Sequence, residues 1–278
     1  MPPKPRFFPM TMRLSRRCHF SGRANKSLVL GLVLLSFLGC NRAGGDQGDK
    51  RAGEARPQAP PRSALTRPVI LLTGFEPFGE RKPPNPSWEG IAPLDGQPWK
   101  EYRLVCKQLR VVWAAPREEL QHCISECHPI AIFSFGQGGI GSFTVESKAS
   151  NKRGRIPDNR GALPPTPVIV DGGPEEFQST LDCGALSRSL SQAGYQVRVS
   201  TRAGHYLCEE TLYSLEYLKT KNKLETVSFC HVPPLGTRIG DKLVTAEYVQ
   251  QFVKGVLEAW YAVYHKTNPP SPAGGPHG

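Results

Sequence analysis

Ser200-Thr-Arg-Ala-Gly-His-Tyr-Leu-Cys208 is the stretch from which the fold of this chain can be predicted. It follows a β-prone segment over residues 195–201, and Gly204 supplies a turn. The residues after the turn predict an amphipathic helix, because apolar and small side chains recur at helical spacing at Leu207, Thr211, Leu215 and Leu218. Cys208 would then lie in the first turn of the helix, where unpaired N–H groups and the helix dipole favour an anion. A thiolate is the nucleophilic form of cysteine, so the position suits catalysis.

Further along the chain, Val227-Ser-Phe-Cys-His231-Val-Pro-Pro234 predicts a strand that ends near a histidine. At the carboxyl edge of a parallel sheet, this histidine would lie beside the start of the cysteine helix. Imidazole is a suitable base for a thiol near neutral pH. A lone cysteine near a lone histidine also arises by packing or chance, so the pair alone does not establish an enzyme.

Strands and helices alternate along the rest of the chain. The apolar runs over residues 68–73 and 129–135 are typical of strands buried on both faces of a sheet. Further strands are predicted over 102–112 and 143–150, and helices over 116–127, 184–193 and 245–264, with Ser87 capping an additional short helix. This alternation predicts an α/β fold: a three-layer sandwich with a mainly parallel twisted sheet flanked by helices.

Charge is unevenly distributed. The chain has 35 Lys and Arg against 24 Asp and Glu, and residues 1–39 contain seven of the cations and no acid. Because the remainder is only slightly basic, the net charge does not imply a nucleic-acid partner.

An apolar run, residues 27–40, follows the basic start of the chain. It falls short of the roughly 20 residues that span a bilayer, and it is typical of a secretory signal peptide. Its end, Phe37-Leu-Gly-Cys40, is similar to a bacterial lipobox. We therefore predict a lipoprotein signal over residues 1–39 and a lipid on Cys40, anchoring an exported protein on the periplasmic or cell-surface side of a membrane. A plain cleaved signal and an uncleaved anchor are alternatives, and Met10 and Met12 are alternative starts.

The composition also divides the rest of the chain. Residues 40–67 are rich in Gly, Ala, Pro, Arg and Asp, which predicts that a flexible linker follows the lipidated Cys40. Residues 267–278 are rich in Pro and Gly and predict a disordered tail. Residues 68–266 remain as one catalytic domain, large enough for a hydrophobic core.

Three patterns could indicate other chemistry, but the sequence supports each of them only weakly. The segment 122–128 contains His, Cys and Glu, but these ligand types crowd two turns of a predicted helix, which favours a helix surface over a metal site. Gly136-x-Gly138-x-x-Gly141 matches a dinucleotide-binding pattern, but β-prone residues follow it where that motif requires a helix. The six cysteines of the domain show no disulfide framework, although one disulfide among the five other than Cys208 stays open.

Six short motifs in collinear order resemble pyroglutamyl peptidase I, also called pyrrolidone-carboxylate peptidase, a family of cysteine peptidases. The resemblance covers about Pro68 to Tyr264. The motifs are Thr73–Gly79 with Asn85–Trp88, Gly136–Gly139, Glu146 with Asn151, Arg155–Asn159 with Gly161, Ala203–Cys208, and His231–Pro233.

The resemblance implies roles for individual residues. Cys208 would be the nucleophile, His231 the base and Glu146 the acid that orients the histidine, with Arg155 near the developing oxyanion. Phe75 and Phe78 would enclose the pyroglutamyl ring, and Gln137 would lie beside the lactam. No metal or cofactor is implied.

The implied activity is removal of N-terminal pyroglutamate from peptides through a thioester. The alternatives are an amidase of altered specificity and an inactive, peptidase-like binding protein. The chain departs from the family at Glu209, where asparagine usually follows the nucleophile, and a carboxylate there, with Glu210 beside it, would oppose thiolate formation. A homo-oligomer is a further expectation from the family.

Overall fold

A computed structural model describes residues 67–267 of the chain. The predicted signal peptide, the lipidation site Cys40, nearly all of the linker and all but the first residue of the predicted tail lie outside the described residues.

Eleven strands are described, and seven of them form one sheet. The strands are β1 (Val69–Phe75), β2 (Pro98–Trp99), β3 (Tyr102–Leu109), β4 (Ala131–Gln137), β5 (Phe143–Glu146), β6 (Lys148–Ser150), β7 (Glu176–Gln178), β8 (Val197–Ser200), β9 (Thr226–Val232), β10 (Arg238–Ile239) and β11 (Lys242–Leu243). The helices are α1 (Pro86–Ile91), followed by a short 3-10 turn, α2 (Ala115–Cys127), α3 (Cys183–Gln192), α4 (Leu207–Lys219) and α5 (Ala246–Thr267).

The main sheet has the strand order β2-β3-β1-β4-β9-β5-β8. Strands β3, β1, β4 and β9 are parallel to one another, as are β5 and β8. Strand β5 runs antiparallel to β9, and β2 runs antiparallel to β3. The mainly parallel sheet predicted from the sequence is therefore confirmed, with antiparallel pairings between β9 and β5 and at the edge strand β2.

Helices cover both faces of this sheet. On one face, α1, α3 and α5 pack on Ile70, Phe133, Phe143 and Val232, among others. On the other face, α2 and α4 pack on Leu71, Ile132, Val227 and Phe229, among others. Because strand side chains alternate between faces, His231 points to the same face as Phe229, which is the face that carries α4. This places the predicted base and the predicted nucleophile on the same side of the sheet.

The local predictions differ from the structure in a few places. Ser87 is not the cap of α1: Asn85 is the N-cap, and its side chain accepts a hydrogen bond from the Ser87 backbone N–H. The extended segment predicted over 143–150 divides into β5 and β6, and β6 pairs with β7 outside the main sheet. The very short strands β2, β7, β10 and β11 were not predicted, because two or three residues carry no detectable alternation.

All six cysteines of the described range are free thiols, so the disulfide left open by the sequence is not formed. Among residues 67–267, no helix combines the length and apolar character that a bilayer span requires.

Candidate active site

A buried carboxylate orients the histidine at the end of β9. Oε1 of Glu146 lies 2.9 Å from Nδ1 of His231, and the Glu146 side chain is 1% exposed. The same Oε1 accepts a 2.6 Å hydrogen bond from the Thr144 hydroxyl. Since Nδ1 faces the carboxylate, the favoured tautomer leaves Nε2 available for proton transfer.

Cys208 occupies the second residue of α4, beside this imidazole. The N-cap residue Tyr206 makes no side-chain cap, so the first N–H groups of α4 are not occupied by a capping side chain. Cys208 and His231 line the same cavity, and Cys208 is one of the groups that raise the pKa of the His231 imidazole. The structure thus brings Cys208, His231 and Glu146 together, in the order that proton transfer from a thiol requires.

Electrostatics favour a protonated histidine at this position. Burial lowers the pKa of the His231 imidazole, but the adjacent Cys208 sulfur and the Glu146 carboxylate outweigh it and raise that pKa to about 10. Burial raises the pKa of the Glu146 carboxyl, whereas hydrogen bonds from His231 and from the Thr144 hydroxyl lower it, and the net shift is downwards. An imidazolium bonded to the Glu146 carboxylate is therefore the favoured state near neutral pH.

Two glycines at the end of β4 make room for the reacting side chains. A Cβ on Gly136 would lie 3.0 Å from Sγ of Cys208 and 2.8 Å from the Phe229 ring. A Cβ on Gly138 would lie only 2.6 Å from Cβ of His231. The glycine-rich segment after β4 is therefore required by close packing against the cysteine and the histidine. The segment does not start a helix: β5 follows it, as the β-prone sequence predicted.

The site opens into a cavity of about 350 Å³. On the side of β1 and β4, its wall contains Phe75, Phe78, Val111 and Gln137, all four of which are apolar or uncharged. Among the described residues that line the cavity, Glu146 is the sole acid, and its Oε1 is bonded to His231 and Thr144. The wall on the side of β1 and β4 therefore suits an uncharged group.

Hydrogen bonds fix the loop that carries the two phenylalanines. The Ser87 hydroxyl accepts from the Phe75 N–H, and the Asn85 amide donates to the Glu76 carbonyl. The Asn159 amide donates to the Glu76 carboxylate and to the Pro77 carbonyl. Residues of the motifs Asn85–Trp88 and Arg155–Asn159 thus hold the segment with Phe75 and Phe78 in place.

The two carboxylates after Cys208 are each satisfied inside the protein. Glu210 is 0% exposed and forms two hydrogen bonds, of 2.7 and 3.0 Å, with the guanidinium of Arg153. Glu209 is 1% exposed and accepts a 2.5 Å bond from the Ser150 N–H. Burial raises the pKa of the Glu209 carboxyl to about 7, against the effect of the Ser150 bond. The predicted opposition to the thiolate is therefore reduced, because Arg153 neutralises Glu210 and Glu209 is only partly charged at neutral pH.

Arg155 lies elsewhere, which corrects the position predicted for it near an oxyanion. Its side chain is exposed and lines a separate cavity formed with residues 163–167. The preceding residue, Gly154, is tied to the His205 carbonyl by a 2.7 Å bond, and Arg153 turns inward to Glu210. The basic residue of this segment that enters the interior is thus Arg153, whose role is structural.

Thr144, Arg198 and Arg202 are among the residues of the site that escaped sequence reasoning. Thr144 could have been recognised from its spacing, because residues two apart on a strand share a face and Glu146 had been selected. The arginines lie on β8 and in the loop after it, and their approach to the site depends on the order of strands in the sheet.

Residues 122–127 belong to helix α2. His122 pairs with Glu126 on the helix surface at 3.0 Å, and Cys123 is buried in the core. Within residues 67–267, no group of three or more His, Cys, Asp or Glu side chains is arranged to hold a metal ion.

Comparison with known proteins assigns the domain to a family. A sequence model described as Pyroglutamyl peptidase matches residues 69–265. The pyrrolidone-carboxylate peptidase of Pseudomonas fluorescens is 33% identical over 210 residues, which cover 74% of this chain and 98% of that enzyme. The crystal structure of pyroglutamyl peptidase I from Bacillus amyloliquefaciens matches with a TM-score of 0.63 at 27% identity, covering 70% of this chain and 95% of that one. A mutant pyrrolidone carboxyl peptidase from Pyrococcus furiosus matches with a TM-score of 0.64 at 28% identity, over 70% and 99% of the two chains.

The same comparisons overturn one prediction. The exported, membrane-anchored lipoprotein inferred from residues 1–40 is wrong as a localisation for this protein. The family match begins at residue 69, the relatives are named plainly as pyrrolidone-carboxylate peptidases, and the leader lies outside the described residues. A signal peptide and a lipid on Cys40 therefore have no support.

The match extends over most of the chain and over nearly the whole of the Pseudomonas fluorescens enzyme. The sequence resemblance and the α/β architecture agree with it. The chain therefore belongs to the pyroglutamyl peptidase family and is a hydrolase of the cysteine peptidase class.

Proposed function

We propose that this protein removes pyroglutamate from the N-terminus of peptides, with Cys208 as nucleophile, His231 as general base and acid, and Glu146 as the orienting carboxylate. The observation that carries the proposal is the 2.9 Å contact between Glu146 and Nδ1 of His231, with the Cys208 thiol beside the same ring. That constellation lines a cavity whose wall on the side of β1 and β4 is uncharged.

In the first half of the reaction, the Cys208 thiolate attacks the carbonyl carbon of the pyroglutamyl residue, and an S–C bond forms while the carbonyl oxygen becomes an oxyanion. N–H groups of the first turn of α4 are available to that oxyanion, and the dipole of the helix favours the negative charge. His231 then gives its proton to the amide nitrogen, the C–N bond breaks, and the shortened peptide leaves with a new N-terminal amine. A thioester remains on Cys208.

In the second half, His231, now neutral, takes a proton from water while the water oxygen attacks the thioester carbon. The S–C bond breaks, the thiolate of Cys208 reforms, and pyroglutamic acid leaves and releases its proton to the solvent. Glu146 keeps Nδ1 as the bonded nitrogen throughout, so Nε2 carries both proton transfers.

Specificity for pyroglutamate follows from the cavity wall. A lactam ring is neutral, with one N–H donor and one carbonyl acceptor, and Phe75 and Phe78 offer apolar surface to its ring carbons. Gln137 lies on the same wall and can bond with either lactam group. An ordinary N-terminus carries an ammonium group, which would be desolvated here without a free carboxylate to pair with.

The test is hydrolysis of a pyroglutamyl-arylamide by the full chain in reducing buffer. We expect turnover by the wild type and by Cys106→Ala, a thiol outside the cavity, and a loss of at least about 10³-fold in Cys208→Ala. Glutaminyl- and prolyl-arylamides should react far more slowly, because they carry a free ammonium or lack the lactam carbonyl. An absence of pyroglutamyl turnover in the wild type would reject the proposal.

Two alternatives are distinguished by further measurements. An amidase of altered specificity would form a thioester, detectable by mass spectrometry, with a different acylated terminus. An inactive binding protein would show a Cys208 that reacts with iodoacetamide no faster than an ordinary exposed thiol.

A further inference from the structure

Two arginines occupy the end of the cavity that lies opposite the aromatic wall. Arg198 projects from β8 and Arg202 from the loop that follows, and both are exposed while lining the cavity that contains Cys208 and His231. Among residues 67–267, neither guanidinium forms an ion pair. The side chain of Arg198 makes a single long bond, of 3.3 Å, to the Ser142 hydroxyl. Both cations are thus available to a ligand.

The sheet register aligns Arg198 with the catalytic histidine. Thr144 on β5 is the Cα partner of His231 on β9, and also of Arg198 on β8. Side chains at partnered positions point to one face of a sheet, so the three residues form a row on the face of α4. Two strand spacings of about 4.8 Å separate the ends of the row, or about 10 Å. The backbone of Arg198 is therefore about 10 Å from that of His231, a distance that the residue after pyroglutamate can span.

The reaction proposed above gives the substrate a direction along this row. The uncharged wall is on β1 and β4, on one side of β9, and the arginines are on β8, on its other side. His231 lies between them and must protonate the leaving nitrogen. With the pyroglutamyl ring against the phenylalanines, the residue that follows it extends towards β5 and β8.

We propose that Arg198 and Arg202 form a binding subsite for a carboxylate on the residue that follows pyroglutamate. This inference rests on the proposed function and names its substrate class: short anionic pyroglutamyl peptides. Guanidinium groups bind carboxylates through paired hydrogen bonds, and the one acid in the cavity, Glu146, is already bonded to His231 and Thr144. The carboxylate can come from an acidic side chain at that residue or from the C-terminus of a dipeptide.

Four substrates test the subsite. The four compounds differ in the charge on the residue that follows pyroglutamate. Pyroglutamyl-glutamyl-amide has only a side-chain carboxylate, and pyroglutamyl-glutamine has only a terminal one. Pyroglutamyl-glutamine amide has no carboxylate, and pyroglutamyl-lysine amide is cationic. We expect kcat/KM for at least one anionic substrate to exceed that for the neutral amide by about tenfold at low salt, and the difference to shrink at high salt. Whichever anionic substrate is preferred identifies the source of the carboxylate.

The double variant R198Q/R202Q should lose this preference, so that its kcat/KM for each anionic substrate falls to its own value for the neutral amide. The double variant R188Q/K223Q, at two exposed positions outside the cavity, carries the same change in charge and should keep the preference. Thermal unfolding of each variant checks that it is folded. If the wild type hydrolyses all four substrates with equal kcat/KM, or if the preference persists in R198Q/R202Q, the inference is overturned while the proposed function stands. If no pyroglutamyl compound is hydrolysed at all, the proposed function fails and this subsite with it.

Discussion

Replacing Glu209 by Gln tests the electrostatics of the site where this chain departs from its family. The carboxyl is 1% exposed, and one of its oxygens accepts a 2.5 Å hydrogen bond from the Ser150 N–H. Burial raises the pKa of this group to about 7, and the nearby Glu146 carboxylate adds to the effect of burial. Glutamine keeps an acceptor oxygen for Ser150 and removes the ionisation.

The expected magnitude follows from the two pKa values. The usual pKa of a glutamate carboxyl is 4.5, so the folded chain holds the proton of Glu209 more tightly than the unfolded chain. The resulting stabilisation is complete below the unfolded pKa and is lost as the pH rises through the folded pKa. At somewhat over 1 kcal/mol per pKa unit, the full loss is roughly 3 kcal/mol, and most of it falls between pH 5 and pH 8.

Urea unfolding of the wild type and of Glu209→Gln at both pH values measures this directly. The free energy of unfolding of the variant should rise relative to the wild type by about 2–3 kcal/mol between pH 5 and pH 8. Glu118→Gln, at an exposed position on α2, is the control, and its difference from the wild type should change by less than about 0.5 kcal/mol. A gap between Glu209→Gln and the wild type that is the same at both pH values would refute the reasoning, because Glu209 would then titrate as it does in the unfolded chain.

Three further substitutions have expected outcomes. Gly138→Ala places a Cβ 2.6 Å from Cβ of His231, so kcat on a pyroglutamyl-arylamide should fall by about 10²-fold or more, and a thermal melt of the folded variant distinguishes this from misfolding. Arg153→Met leaves the buried carboxylate of Glu210 unpaired and should lower the free energy of unfolding by about 3–5 kcal/mol in urea; a loss under about 1 kcal/mol would contradict the pairing. Thr144→Val removes a hydrogen bond to the carboxylate that orients the histidine, and should reduce kcat about tenfold with KM little changed; an unchanged kcat would show that this bond is dispensable.

The features that were predictable from the sequence are those set by local pattern. The helical spacing after Gly204 predicted α4 and placed Cys208 in its first turn, as the structure has it. The apolar runs predicted β1 and β4, because strands buried on both faces need no alternation to be recognised. Glu146 was selected through the family resemblance rather than through any local pattern.

Features that depend on which strands meet were not predictable from the sequence. The reversal of β5 against β9 brings Thr144 beside His231 and Arg198 into the same row, and no local pattern encodes that pairing. Arg155 was misplaced for a related reason: the backbone bond from Gly154 to His205 and the buried Arg153–Glu210 pair determine which basic side chain of the segment turns inward. Both are long-range contacts.

Helix α4 is buried along nearly its whole length, from Leu207 through Leu218. A surface helix could tilt or fray when a peptide arrives, and part of the binding energy would then be consumed in ordering the nucleophile. Here the core already holds the thiol and the first peptide N–H groups in position. For the nucleophile proposed above, preorganisation is thus a by-product of the hydrophobic core.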